Sequence, residues 1–146
     1  MVDTRASLSL KSQLVRTAQE VPVLVAVGTE AASADCAHLQ AAGCEILVCN
    51  GATSQARLEM LFDELGRRRM TNVLVEGGGR LLGSLFDARL IDEVHVFIAP
   101  KLAGSTEAPS PIAGRGVDTI SSALAVKHLT IREIAGDIYL QGRIMR

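Results

Sequence analysis

Three short apolar runs, each followed by a helical pattern, constrain this chain more than any other feature. "VPVLVAVG" (21–28) is continuously apolar and ends in glycine, as expected of a strand covered on both faces. Ser33 is placed to cap a helix reaching Ala42, which Gly43 would end. "CEILVCN" (44–50) reads as a second buried strand, closed by the turn pair Asn50-Gly51. Leu58, Leu61, Phe62 and Leu65 then recur at helical spacing, giving an amphipathic helix with Ser54 as its cap. "NVLVEG" (72–77) reads as a third strand, and "RLLGSLFDARL" as a third helix with Leu81, Leu82, Leu85 and Phe86 facing inward. Strand and helix in this alternation predict a parallel sheet joined by crossovers.

The pattern then changes. "DEVHVFIAP" (92–100) is a further strand ended by Pro100, with Asp92 and Glu93 placed in the turn before it. A loop rich in Gly, Ser and Pro follows, from Ala103 to about Asp118. "VKHLTIREI" and "IYLQGRIM" flank Gly136-Asp137, a turn pair that predicts a hairpin. The expected class is therefore α/β: a mixed, mostly parallel sheet flanked by helices, with a C-terminal antiparallel hairpin. All 146 residues suit a single domain. At the start, "MVDT" has the look of the last residues of a strand.

Composition removes several function classes. Net charge is −1, from 15 basic and 16 acidic residues, and aromatic residues make up only 3%, so neither the charge nor the stacking surface for nucleic acid is present. Arg67, Arg68 and Arg69 form the one cluster, at a predicted helix C-terminus where cations suit the macrodipole. No apolar run reaches the ~18 residues of a membrane helix, and no signal-peptide pattern opens the chain. Cys36, Cys44 and Cys49 lack paired metal spacing and read as reduced, buried thiols of a cytoplasmic protein. His38, His95 and His128 are scattered, so no metal site is expected and each reads as a surface or strand-face residue.

The turn "VEGGGRLLGS" remains. Gly77-x-Gly79 begins a dinucleotide fingerprint, but Leu82 stands where its third glycine belongs. Gly78-x₄-Gly83 is followed by Ser84, not the lysine of a phosphate-binding loop. Both named motifs fail, yet the physics behind them survives. Glycines 77 to 79 would let a ligand approach the backbone, and a helix starting near Arg80 offers unpaired N–H groups to an anion. The alternative is a tight turn with glycines for steric reasons alone. Glu76 favours a ligand, because a carboxylate ending a buried parallel strand points into the crevice where open α/β sheets bind ligands. Buried there without a partner, it would be costly.

"NVLVEGGGRLLGSLFDARLIDEVHVFIAPKLAGS" resembles the signature of the pyrimidine reductase of riboflavin biosynthesis, usually the C-terminal half of a bifunctional deaminase/reductase. "VDTRASLSLKSQLVRTA" resembles that family's D-S-x-L-x-L-P segment, and the terminal hairpin also fits, so the resemblance spans essentially the whole chain. It implies a dihydrofolate-reductase-like fold, a homodimer, and NADPH-dependent reduction of 5-amino-6-(5-phosphoribosylamino)uracil, whose ribose becomes a ribityl chain. It implies substrate contact at Glu76 and cofactor contact at Gly78, Gly79, Arg80, Leu81, Leu82, Gly83 and Ser84. The family's D-S serine also lies near the cofactor, which carries over to Thr4 with its hydroxyl kept. No catalytic residue is assigned.

One departure stands beside the match. Family reductase domains carry a further amino-terminal segment, opening on a K-x-A-x-S-x-D-G-like strand, that supplies most of the substrate-phosphate contacts. The chain is expected to lack that segment and the deaminase half. Two other functions therefore stay open: a catalytically inactive nucleotide-binding or dimerisation module derived from the reductase, and a generic α/β nucleotide binder. Arg80 and Arg115 are candidates for the 2′-phosphate of NADPH. Arg115 lies in "SPIAGRGVD", which reads either as a lid or as a surface loop with a solvated arginine. Lys101 reads as a solvated strand-end lysine.

Overall fold

The computed structural model describes every residue except Ala103, Thr106 and Arg146. Two compact units, Met1–Val73 and Leu74–Arg146, divide the chain.

In the first unit, β1 (Leu24–Val27) and β2 (Glu45–Val48) pair in parallel, with Leu24 opposite Glu45 and Val27 opposite Val48. A parallel pair needs a crossover, and α2 (Ser33–Ala41) supplies it. Gly43, at φ +99, ends that helix as the sequence predicts. Ser33 is not the cap: it is the first helical residue, and Ala32 caps without a side-chain bond. Likewise α3 (Ser54–Arg67) is capped by Thr53, whose hydroxyl accepts from the Ala56 N–H at 3.1 Å, and not by Ser54. In both cases the helix begins one residue earlier than its apolar periodicity indicates. A short α1 (Gln13–Arg16) is capped by Ser12.

β1 is buried on both faces, as its unbroken apolar run requires. Val25 and Val27 point to one side, into a core with Val15, Leu39 and Cys44. Ala26 points to the other, against Cys49 and Leu61. The period of two along one strand thus serves two helices, with Leu39 of α2 on one face and Leu61 of α3 on the other. Val2 bridges Ala26 in parallel, the Ala26 N–H donates to Met1 and the Asp3 N–H donates to Ala26, so "MVDT" does sit as strand-like backbone beside β1. The arginine run closes α3 as expected. Arg68 donates to both carboxylate oxygens of Glu45, at 2.6 and 2.8 Å, and to Glu64 at 2.8 Å. That hydrogen-bonded pairing holds the Glu45 carboxyl below its usual range.

The second unit holds α4 (Gly79–Asp87) and an antiparallel sheet of β3 (Glu93–Ile98), β5 (Asp137–Ile144) and β4 (Val126–Ile134), in the order β3-β5-β4. Glu93 opens β3 and is not part of a preceding turn. The hairpin turn is Ala135-Gly136, both at positive φ (53° and 90°), one residue earlier than the expected Gly136-Asp137. Both central residues at positive φ suit the twist of a two-residue hairpin. The predicted long loop starts at Ala103, outside the described residues; its described parts, 104–105 and 107–118, are irregular, and a 3₁₀ turn at Ile120–Ser122 follows.

The expected third strand does not form. Residues 71–78 make no ladder, and Val73 and Leu74 are exposed. A strand needs a partner as well as a pattern, and no described strand pairs with this segment. Among the described residues, parallel pairing is correspondingly limited to β1 with β2 and the single Val2–Ala26 bridge beside β1. No helix among the described residues is long and apolar enough to cross a membrane.

Candidate functional site

The glycine turn leads directly into α4. Gly78 is the N-cap, at φ −61 and ψ 160, with no side chain capping the helix. The Leu81 and Leu82 N–H groups donate back to the Gly78 carbonyl, at 3.0 and 3.3 Å, whereas the amides of Gly78, Gly79 and Arg80 precede the first intrahelical bond. These amides and the positive end of the helix dipole would favour an anion placed against them.

The glycines of this helix differ in what surrounds them. At Gly78 nothing among the described residues lies within 4 Å of where a Cβ would stand, so its missing side chain leaves open space beside the amides that precede the first intrahelical bond. At Gly77 a Cβ would meet the Leu81 side chain, with its Cδ2 at 3.0 Å and its Cβ at 3.6 Å. At Gly79 it would lie 2.5 Å from the Ser110 carbonyl oxygen, and at Gly83 it would run into the Ala113 carbonyl. Gly78 thus leaves room for a ligand, while Gly77, Gly79 and Gly83 make room for the chain itself.

Of the other residues the resemblance implicates, Glu76 and Arg80 are exposed, and neither side chain has a partner among the described residues. Glu76 sits on the unpaired extended segment, not at the end of a buried strand, so the expected cost of burying its charge does not arise. Leu81 and Leu82 are half-buried on α4 beside fully buried Leu85. Ser84 donates its hydroxyl to the Arg80 carbonyl at 3.0 Å. Thr4 lies in the first unit. Its carbonyl accepts from the Gly28 N–H at 2.9 Å, and its hydroxyl makes no hydrogen bond among the described residues.

Arg115 is exposed and belongs to the opposite end of α4 from the turn. Its backbone N–H donates to the Asp87 carboxylate at 3.0 Å. It lines a cavity of about 340 Å³ with Phe86, Arg89, Val117, Asp118 and Leu124. Asp87, which anchors the Arg115 backbone, is seven residues along α4 from Arg80, roughly 10 Å of helix. Lys101 is exposed beyond the end of β3, as expected of a solvated lysine.

One cluster escaped sequence reasoning because only strand register assembles it. His95 Nδ1 lies 2.7 Å from the Tyr139 hydroxyl, and His95 Nε2 lies 3.3 Å from Glu93, which also accepts from Gln141. His95 opposes Gln141 across β3 and β5, and Glu93 lies two residues along the same face. His95 is thus a strand-face residue, as its position predicted. Among the described residues no three His, Cys, Asp or Glu side chains gather to hold a metal. Cys36, Cys44 and Cys49 are free thiols; Cys44 and Cys49 are buried as expected, whereas Cys36 is only half-buried, and burial pushes the Cys49 thiol up.

Residues 1–140 match the family described as the RibD C-terminal domain. The riboflavin biosynthesis protein RibD of Actinobacillus pleuropneumoniae is 31% identical over 138 residues, covering 94% of this chain and 36% of that protein. The 2,5-diamino-6-ribosylamino-4(3H)-pyrimidinone 5′-phosphate reductase of Methanothermobacter thermautotrophicus is 29% identical over 108 residues, covering 74% of this chain and 49% of that one. Among solved structures, RibD of Acinetobacter baumannii superposes with a TM-score of 0.79 at 22% identity, over 99% of this chain and 36% of that one. The chain thus spans between about a third and a half of these relatives. The shared fold is the mixed α/β, dihydrofolate-reductase-like one.

Proposed function

Because the chain belongs to the RibD C-terminal domain family, we propose that it carries the reductase activity of riboflavin biosynthesis, both units serving one domain. The substrate is 5-amino-6-(5-phosphoribosylamino)uracil, reduced to its ribitylamino product. NADPH is the cofactor and, when bound, supplies the hydride. The chain's own residues bind, orient and neutralise charge, since the cofactor brings the hard chemistry.

The observation that carries this reading is the open cradle at Gly78. A free helix start, an N-cap with no side chain and empty space where a Cβ would stand suit a close-approaching phosphate. Gly78, Gly79 and Arg80 would hold the phosphates through their amides, with Leu81, Leu82, Gly83 and Ser84 shaping the helix behind them. Arg80 adds an exposed guanidinium. Thr4 offers its hydroxyl to the cofactor, and Glu76, exposed and with no partner among the described residues, binds the substrate.

We further infer a cytoplasmic homodimer. Val96, Ile98, Ile131 and Ile138 share one face of the antiparallel sheet and stay 40%, 50%, 64% and 49% exposed, an apolar surface that suits a second copy.

Calorimetric titration with NADPH, alongside NADH, tests the cofactor reading, and loss of NADPH absorbance on adding substrate tests turnover. Selective NADPH binding with turnover is expected. Binding without turnover would mark the chain as an inactive nucleotide-binding module. Binding of neither nucleotide would overturn the reductase reading.

A further inference from the structure

Gly79 and Gly83 lie one turn apart on the same face of α4, and part of the long loop runs along them. The Ala113 N–H donates to the Gly79 carbonyl at 2.9 Å. The Ser110 carbonyl oxygen closes against Gly79, and the Ala113 carbonyl against Gly83, so tightly that neither helix position admits a Cβ. From the loop side the fit is equally close. Gly114 sits at φ +118, and a Cβ there would stand 2.9 Å from Asp87 Oδ2 and 3.1 Å from the Gly83 carbonyl oxygen. The next residue, Arg115, donates its backbone N–H to that same Asp87 carboxylate at 3.0 Å. Ser110 folds the segment on itself by donating its hydroxyl to the Ile112 carbonyl at 2.8 Å.

We propose that residues 110–115 are a strap seated in the Gly79/Gly83 groove of α4, and that the seated strap holds the first helical turn in the form that receives the cofactor's phosphates. Gly83 is then a positioning residue that touches the strap and not the cofactor. Asp87 is the pin at the strap's far end. The coupling half rests on the reading of the Gly77–Arg80 turn as a cofactor cradle; the seat itself does not. The physical link is short, because the strap's first contacts fall on Gly79, the residue directly after the N-cap.

Amide exchange in the full chain without ligand tests the seat. Gly83→Ala should speed exchange of the Ala113 and Arg115 amides at least tenfold. Gly66→Ala, at a helical glycine with nothing within 4 Å, should leave them unchanged. If Gly83→Ala fails to fold, Asp87→Ala removes the pin without adding volume and should free the Arg115 amide, while Asp87→Asn, which keeps an oxygen acceptor, should restore much of its protection. Calorimetry then tests the coupling: variants with a freed strap should bind NADPH about tenfold more weakly. Unchanged exchange in both Gly83→Ala and Asp87→Ala overturns the seat. Faster exchange with unchanged NADPH affinity overturns the coupling. Faster exchange beside a wild type that binds no nicotinamide nucleotide leaves the seat established and refutes the cofactor reading, and the coupling with it.

Discussion

Gly78→Ala separates the two uses of glycine in this turn. The backbone at Gly78 (φ −61, ψ 160) is one that alanine adopts, and its Cβ would enter open space. The folding cost is then only the difference between glycine and alanine as a helix N-cap, about 1 kcal/mol or less. That amounts to a fall in melting temperature of roughly 2–8 °C. The cost to a bound anion is larger. A hydrogen bond to a charged group contributes about 1.5–3 kcal/mol, and a methyl at this position holds a phosphate oxygen away from the neighbouring amides. Losing one such bond weakens binding roughly 10- to 150-fold. Calorimetric titration with NADPH, paired with a thermal melt, reads both effects on one sample. A variant that melts within the expected range and binds NADPH within twofold of a binding wild type would refute the cradle. The glycines would then be explained by turn and strap packing alone.

Glu76→Gln should leave stability within about 0.5 kcal/mol, since the side chain is exposed and has no partner among the described residues, while lowering turnover at least tenfold; unchanged steady-state kinetics would remove Glu76 from the substrate site. Leu39→Ala should cost about 3 kcal/mol, because Leu39 is 1% exposed and three carbons leave the core between α2 and β1, and denaturant unfolding measures it. The Glu45 carboxyl is held below its ordinary 4.5 by Arg68, so its contribution to stability is present above that value and is lost as pH falls through the folded pKa. Comparing wild type with Glu45→Gln between about pH 6 and 3 should show the acid-side loss reduced in the variant, by a small amount since the pair is exposed. A thiol reagent should modify half-buried Cys36 first and Cys44 and Cys49 only after unfolding; three equivalents reacting at one fast rate would contradict the burial of the last two.

The first unit was largely legible because its signals are local and agree with one another. An unbroken apolar run marked β1 as buried on both sides, and the leucines of α3 marked the face that covers it. The caps were misplaced by one residue, since Ser33 and Ser54 are good caps by chemistry but the backbone bends earlier, at Ala32 and Thr53. The third strand failed for a different reason. "NVLVEG" has the composition of a strand, but composition supplies only one side of a ladder, and no described strand supplies the other. The His95–Tyr139 contact is a related case from the opposite direction. Its partners are 44 residues apart, and their meeting depends on a register that no local pattern encodes.

The glycine turn shows how the same residue type can answer two demands a few ångströms apart. Along the sequence, Gly77 to Gly79 form one run and Gly83 a fourth point after it, and the resemblance assigns most of them to one cofactor. In the folded chain the run divides. Gly78 faces open space and can serve only what comes from outside, whereas Gly79 and Gly83 face carbonyl oxygens of residues about thirty positions away. What decides a glycine's role is which atoms occupy its missing Cβ, and those atoms belong to the loop, not to the motif. Substitution at Gly78 and at Gly83 should therefore fail in different ways: the first by losing ligand while the strap stays seated, the second by releasing the strap first. A turn whose glycines were all ligand-facing would show the same defect at both positions.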